Sequence, residues 1–428
     1  MEVIEYERLK EKLYYEQLPN GLKVFVLPKP GFQKTFATFT TRYGSIDNHF
    51  EIEGKGPMRV PDGIAHFLEH KMFEEPEGDV FAKFASQGAS ANAFTSFDRT
   101  SYLFSATDNI PENLQTLLNF VQNPYFTDEN VEKEKGIIGQ EINMYRDNAD
   151  WRIYYGLIEA LYSKHPIHID IAGTLESISK ITKEMLYDCY HAFYQPANML
   201  LFVVGGVDPE EMISLVKDNQ QNKPYAAWRE ISRFSEEEPL KVFEQKKRIS
   251  LPVAMPKCLL GIKEKPEGKD GEELLIQESR MKLLFDMLFS QSSALYQKLY
   301  DEQLITDNFG FEYQCAPDYA FSIIGGDTPD PDLLVQRIRE EIDSLKQKGL
   351  DQTDFERSRR KKIGGFLRMM NSPEAIAHEF AKYRFRHADL FRILPVYESL
   401  TFEEVNRQLA EHFDWTQMAV SVVAGESR

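Results

Sequence analysis

The chain repeats itself at long range. Residues Glu176 to Gly206 (ESISKITKEML … NMLLFVVGG) are echoed by Glu398 to Gly425 (ESLTFEEVNRQL … QMAVSVVAG), and Thr127 to Lys133 parallels Asp351 to Arg357, each at an offset of about 220 residues. Two copies in the same order imply two homologous domains of similar size, and a chain of 428 residues is long enough to bury a core in each. The expected division is a first domain over 1–220, a linker over 221–240 and a second domain over 241–428. The join falls in the polar stretch Asp218 to Pro239 (DNQQNKPYAAWREISRFSEEEP).

Strand-like and helix-like segments alternate, which predicts an α+β class in which helices cover sheets. Leu22 to Leu27 (LKVFVL) reads as a strand after the Asn20-Gly21 turn, and Thr35 to Tyr43 as its hairpin partner. Leu200 to Val207 is an apolar run that hands over to a helix near Glu210. Composition narrows the function. Fifty Lys and Arg against 68 Asp and Glu give a formal charge of −18, which repels a phosphate backbone and argues against a nucleic-acid partner. No apolar run reaches the ~20 residues of a membrane span, and the N-terminus is neither a signal nor a transit peptide, so cytoplasmic residence is expected. Cys189, Cys258 and Cys315 are too scattered for a disulfide framework or a thiolate zinc site.

The chemistry centres on His66-Phe67-Leu68-Glu69-His70. On a helix, His at i and i+4 share one face and can converge on one ion, with Glu69 beside them. The helix follows Pro61-Asp62-Gly63 and stops before Pro76. Neutral imidazoles suit zinc, which in a catalytic site takes a third protein ligand and keeps a position open. Glu69 can then act as general base toward the attacking water. The third ligand is expected on the helix Thr127 to Asp147, where Glu134 and Glu141 lie two turns apart beside Ile137, Ile138 and Ile142. A carboxylate in such company needs a partner. Gly136 and Gly139 weaken that helix and suggest the close approach of another backbone.

Pro61 to Phe73 (PDGIAHFLEHKMF), Gly88 to Tyr102 (GASANAFTSFDRTSY), Glu134 to Ile142 (EKGIIGQEI), His165-Pro166, Gly173, Ile178 and the strand ending Gly205-Gly206 resemble, in order, the inverted-motif zinc peptidases of the pitrilysin, insulysin and mitochondrial processing peptidase family, M16. The similarity runs along nearly the whole chain and is greatest to half-length bacterial subunits. The resemblance implies His66, His70 and Glu141 as ligands of one zinc ion per chain, Glu69 as the base and Glu134 as a supporting acid. It implies further that Asn92, Ala93 and Phe94 lie on an edge strand that pairs with an extended peptide. The implied fold is two similar α/β domains, each a mostly antiparallel sheet covered by helices, enclosing a peptide chamber.

The second half departs from the family. An Arg and a Tyr that hold substrate there are replaced by Tyr300 and Thr306, and Glu134 and Glu141 align with Ser358 and Gly365. The expectation is therefore a zinc-dependent endopeptidase or processing peptidase acting on extended peptides, with one metal site per chain. A second M16-type subunit, or a second copy in a homodimer, would supply the missing pair. A non-catalytic scaffold of the same fold is the alternative. The basic run Arg357 to Lys362 reads as a solvated helix face.

Overall fold

The sequence repeat reappears as strand topology. The computed structural model describes residues 1–76, 78–221, 223–225 and 228–425. A seven-stranded sheet contains β1 (Glu2–Tyr6), β2 (Glu11–Gln17), β3 (Lys23–Pro28), β4 (Thr35–Thr41), β5 (Ala89–Thr95), β6 (Thr100–Ala106) and β7 (Met199–Gly205), in the order β1-β2-β3-β7-β4-β6-β5. A five-stranded sheet contains β8 (Lys246–Ser250), β9 (Lys257–Glu264), β10 (Gly310–Cys315), β11 (Ala320–Asp327) and β12 (Met418–Ala424), in the order β8-β12-β9-β11-β10. In each, the first and last strands of the repeat pair in parallel and the other neighbours are antiparallel. The mostly antiparallel sheets and covering helices agree with the expected class.

The expected hairpin between β3 and β4 does not form. Instead β7 lies between them, parallel to β3 and antiparallel to β4. The reason is burial: all seven residues of β7 (MLLFVVG) are buried, so the strand needs partners on both sides rather than an edge position.

The helices that matter below are α1 (Ile64–Lys71), α2 (Asp128–Asp147), α3 (Ala149–Leu161), α4 (Gly271–Phe289), α5 (Gln352–Met369), α6 (Pro373–Phe385) and α7 (Phe402–His412). Contacts divide the chain into two compact units, and neither is continuous in sequence. The first joins Met1–Ile142, Ile169–Ser235 and Met369–Phe385; the second joins Asn143–His168, Glu236–Arg368 and the residues from Arg386 onward. Helix α3, from the first half of the sequence, thus covers the five-stranded sheet, and α6, from the second half, covers β4 and β7. The stretch 221–240 is not only polar connection: Ile231–Arg233 pairs with His49–Ile52, while residues 222, 226 and 227 lie outside the described residues.

Glycine explains how α3 seats on its sheet. A Cβ at Gly156 would stand 2.7 Å from both Ile249 Cδ1 and Ser421 Oγ, so the helix is held close by the missing side chain. Ile153, Leu157, Ile158 and Leu161 of the same helix are buried. Glu238 fastens its far end, accepting the backbone N–H groups of Ser163, Lys164 and His165 and an ion pair from Lys263. Gly136 is the opposite case. The close backbone expected there is absent, for a Cβ would meet nothing within 4 Å, and at Gly139 it would meet only the Leu175 side chain, at 3.3 Å.

In the second unit a buried polar network ties α7 to the sheet. His412 Nδ1 pairs with Glu264 Oε1, and its Nε2 lies 2.9 Å from Ser322 Oγ. The Tyr313 hydroxyl donates to Glu264 Oε2 at 2.6 Å and Gln277 Nε2 does so at 3.2 Å. Burial alone would raise the Glu264 carboxyl, but His412 and these donors outweigh it and hold it below its ordinary value.

Three measurements follow from this packing. Gly136→Ala should raise the thermal midpoint, by the ~1 kcal/mol that alanine gains over glycine in an open helix. Gly156→Ala should lower it despite the same propensity gain, because overpacking costs about 1 to 3 kcal/mol. For Glu264, a depressed carboxyl contributes stability that is present above the unfolded value, about 4.5, and is lost as the pH falls through the folded one. The drop in thermal midpoint between pH 7 and pH 4 should therefore be smaller in Glu264→Gln than in the wild type.

Candidate metal centre

Helix α1 begins at Gly63, whose φ of 87° and close approach to the Ala172 carbonyl exclude a side chain. Ile64, Ala65, Phe67 and Leu68 bury one side of the helix, which fixes its rotation and turns His66 and His70 toward α2. On α2, Val131, Ile138 and Ile142 are buried, whereas Ile137, expected beside them, is 46% exposed. The buried stripe sets Glu134 and Glu141 against α1.

The result is a convergence of three side chains. His66 Nε2 lies 3.9 Å from Glu141 Oε1, and His70 Nε2 lies 3.6 Å from Glu141 Oε2. One donor atom from each of His66, His70 and Glu141 lies within 4.8 Å of the others, the only such trio of possible metal ligands among the described residues. Ligands about 2.0 to 2.2 Å from a tetrahedral ion stand about 3.3 Å apart, so small side-chain rotations close the group around zinc.

Electrostatics fit a cation too. Burial, with His70 beside it, pushes the His66 imidazole down to about 3, so it is a neutral donor. His70 is held above its ordinary value: burial lowers it, but the hydrogen bond with Glu134 and the charges of Glu69, Glu134 and Glu141 prevail. Glu134 Oε1 lies 3.0 Å from His70 Nδ1, the pairing that leaves Nε2 to face the trio. Burial opposes ionisation of Glu134, yet its bond to His70 and the neighbouring Lys71 keep its carboxyl below the usual range. Glu69 is 8% exposed and is pushed up by burial, against a hydrogen bond from Thr95 and the charge of His70. Three carboxylates thus crowd two imidazoles.

Lys71 and Thr95 are the residues that sequence reasoning missed. The Lys71 side chain is fully buried, paired with Glu74 and 3.6 Å from Glu134 Oε2. Its signal was a lysine directly after His70, flanked on its other side by the apolar Met72 and Phe73. Thr95 lies two residues beyond Ala93 and donates to Glu69 Oε2 at 2.6 Å.

Strand β5 forms one edge of its sheet, with β6 as its partner, so the expected peptide-pairing segment is on an edge. Asn92 and Ala93 line a cavity of about 650 Å³ together with Glu69, His70 and Glu134. Phe94 is not in that lining; its ring lies 5.3 Å from the His378 ring on α6 and 5.7 Å from the Arg99 guanidinium. In the second unit, Tyr300 is 51% exposed and the Thr306 hydroxyl donates to Asn308 at 2.6 Å. Four residues of the basic run there are paired: Lys361 and Lys362 reach Asp286 at 2.9 and 3.4 Å, Arg357 pairs with Asp354 and Arg359 with Glu356.

A twofold-repeated α/β scaffold carrying His-x-x-Glu-His on one helix and a converging carboxylate on the next defines the class of inverted-motif metallopeptidases. Comparison with known proteins agrees. A family model described as Insulinase (Peptidase family M16) matches residues 60–175, and one described as Peptidase M16 inactive domain matches residues 180–362. The chain is 53% identical over 428 residues to a Bacillus subtilis (strain 168) protein described as "Uncharacterized zinc protease YmfH", covering 99% of both. It is 30% identical over 209 residues to a Bacillus subtilis protein described as "Putative zinc protease AlbF", covering 49% of each. An M16-like peptidase from Alicyclobacillus acidocaldarius superposes with a TM-score of 0.95 at 41% identity, covering 99% of this chain and 100% of that one. A protease from Helicobacter pylori shares the fold, with a TM-score of 0.82 at 20% identity over 97% of this chain and 100% of that one. The chain belongs to the M16 family of zinc proteases.

Removing Lys71 strands a buried carboxylate. Lys71→Ala should destabilise the metal-free protein by on the order of 3 kcal/mol, read as a lower thermal midpoint, because Glu134 and Glu74 lose their cation.

Proposed function

We propose that the chain is a zinc-dependent endopeptidase or processing peptidase, binding one zinc ion through His66, His70 and Glu141. The observation that carries this reading is the convergence of those three donors with Glu69 buried beside them. Zinc, when bound, supplies a Lewis acid toward the scissile carbonyl and lowers the pKa of the attacking water. Glu69 takes the proton from that water and delivers it to the leaving amine, a role worth about 10²- to 10⁴-fold in rate. Glu134 holds His70 in the tautomer that presents Nε2. The free edge of β5 accepts an extended peptide by main-chain pairing next to the cavity, with Asn92 and Ala93 nearest the reacting groups and Phe94 turned toward His378.

Tyr300 and Thr306 offer no cation at the positions where the family resemblance expects an Arg and a Tyr. Donors aimed at a developing oxyanion are worth about 10²- to 10³-fold, so the complete site draws them from another M16-type chain or a second copy. Cys189, Cys258 and Cys315 are buried and form no disulfide among the described residues, which suits a reducing compartment such as the cytoplasm.

Zinc content by elemental analysis, run beside a quenched-peptide assay with and without a candidate partner, tests the reading. About one zinc per chain, lost in Glu141→Gln, and cleavage abolished in Glu69→Gln with zinc retained are the expected results. Cleavage that appears only with the partner supports a divided site. A protein that holds no zinc after reconstitution overturns the peptidase reading and leaves a scaffold.

A further inference from the structure

Thr95 is the last residue of β5, the strand whose free edge faces the expected peptide, and it is also the residue that holds Glu69. Its Oγ1 lies 2.6 Å from Glu69 Oε2. Directly across the β5–β6 pair stands Thr100, with the two hydroxyl oxygens 3.3 Å apart, and the Thr100 hydroxyl donates to the Tyr43 carbonyl at 2.9 Å.

Proton inventory decides the roles. A threonine hydroxyl has one proton to give, and a carbonyl can only accept. The Thr100 proton therefore goes to Tyr43, which leaves Thr100 nothing to donate to Thr95 and leaves the Thr95 proton for Glu69. As the ionised base, Glu69 accepts that proton at Oε2. Its other oxygen, Oε1, has no hydrogen-bond partner among the described residues, and Glu69 lines the cavity shared with His70, Asn92 and Ala93.

We propose that Thr95 is the positioning residue of Glu69: it fixes Oε2, leaves Oε1 as the oxygen that works on the attacking water, and ties the base to the strand on which the peptide pairs. The inference rests on the peptidase reading above. A peptide laid along β5 then shares its platform with the group that aims the base, so substrate register and base orientation are set by one rigid strand. Thr95 acts through Glu69 and need not touch the substrate.

The test uses the full chain, zinc-loaded and with its partner if one is required, and compares Thr95→Val, which keeps the shape and removes the hydroxyl, with Thr95→Ser, which keeps the hydroxyl. Thr95→Val should lower kcat about 10-fold or more with KM and zinc content unchanged, and Thr95→Ser should restore most of the loss. In metal-free protein, Thr95→Val should lower the thermal midpoint by about 2 °C, and this penalty should vanish in a Glu69→Leu background. A Thr95→Val protein that matches wild-type kcat while Glu69→Gln is inactive overturns the assignment alone, as does a stability penalty that persists without Glu69. A wild-type chain that binds zinc yet cleaves nothing in any combination overturns the peptidase reading and this inference with it.

Discussion

The structure around the candidate centre depends on one electrostatic constraint: Glu69, Glu134 and Glu141 are gathered about two imidazoles with Lys71 as the fixed cation beside them. Concentrated negative charge in a partly buried place is unfavourable unless something positive joins it. Each neighbouring choice answers that constraint. His66 is kept neutral by burial and so offers a lone pair, Glu134 spends an oxygen on His70, and Lys71 neutralises the carboxylates that face away from the trio. The apolar stripes of α1 and α2 hold the two helices at the separation that makes this crowding unavoidable.

The repeat shows what happens when the constraint is relieved differently. In chain order α4 and α5 occupy the places of α1 and α2, yet Ser358 and Gly365 stand where the first copy has Glu134 and Glu141. There Asp286 on α4 is met by Lys361 and Lys362 of α5. One copy leaves an excess of anionic donors for an ion from outside; the other closes the same helix pair with ammonium groups of its own. The polar network of Glu264, His412 and Ser322 in that second copy has donors and acceptors in hydrogen-bonding order but is enclosed by its sheet, and its role is to fix α7.

Much of this was legible in the sequence, and the failures have physical causes. Helical periodicity sets His66 with His70 on one face and Glu134 with Glu141 on another, because residues four and seven apart on a helix lie close on one face; that Glu141 is the one to join the histidines is what the family resemblance implied. The contact of Thr95 with Glu69 joins a strand to a helix, and no local period reports it. The hairpin of β3 and β4 was misread because adjacency in sequence competes with burial, and β7, from far along the chain, buries more apolar surface between them. Ile137 and Gly136 were misplaced for a related reason: periodicity gives a helix its stripe, but the width of that stripe depends on the neighbour. Nor does an amphipathic pattern say which sheet a helix will cover, so the destinations of α3 and α6 could not be read.

That exchange of helices bears on how the molecule is made. The first unit lacks α6 until about nine-tenths of the chain has left the ribosome, because the helix ends at Phe385 of 428 residues. Until then β4 and β7 present an apolar face with no cover, and the first unit cannot finish folding as an early, independent domain. Each compact unit draws on both halves of the repeat, so a cut at the polar join would divide the sequence without separating two complete folds.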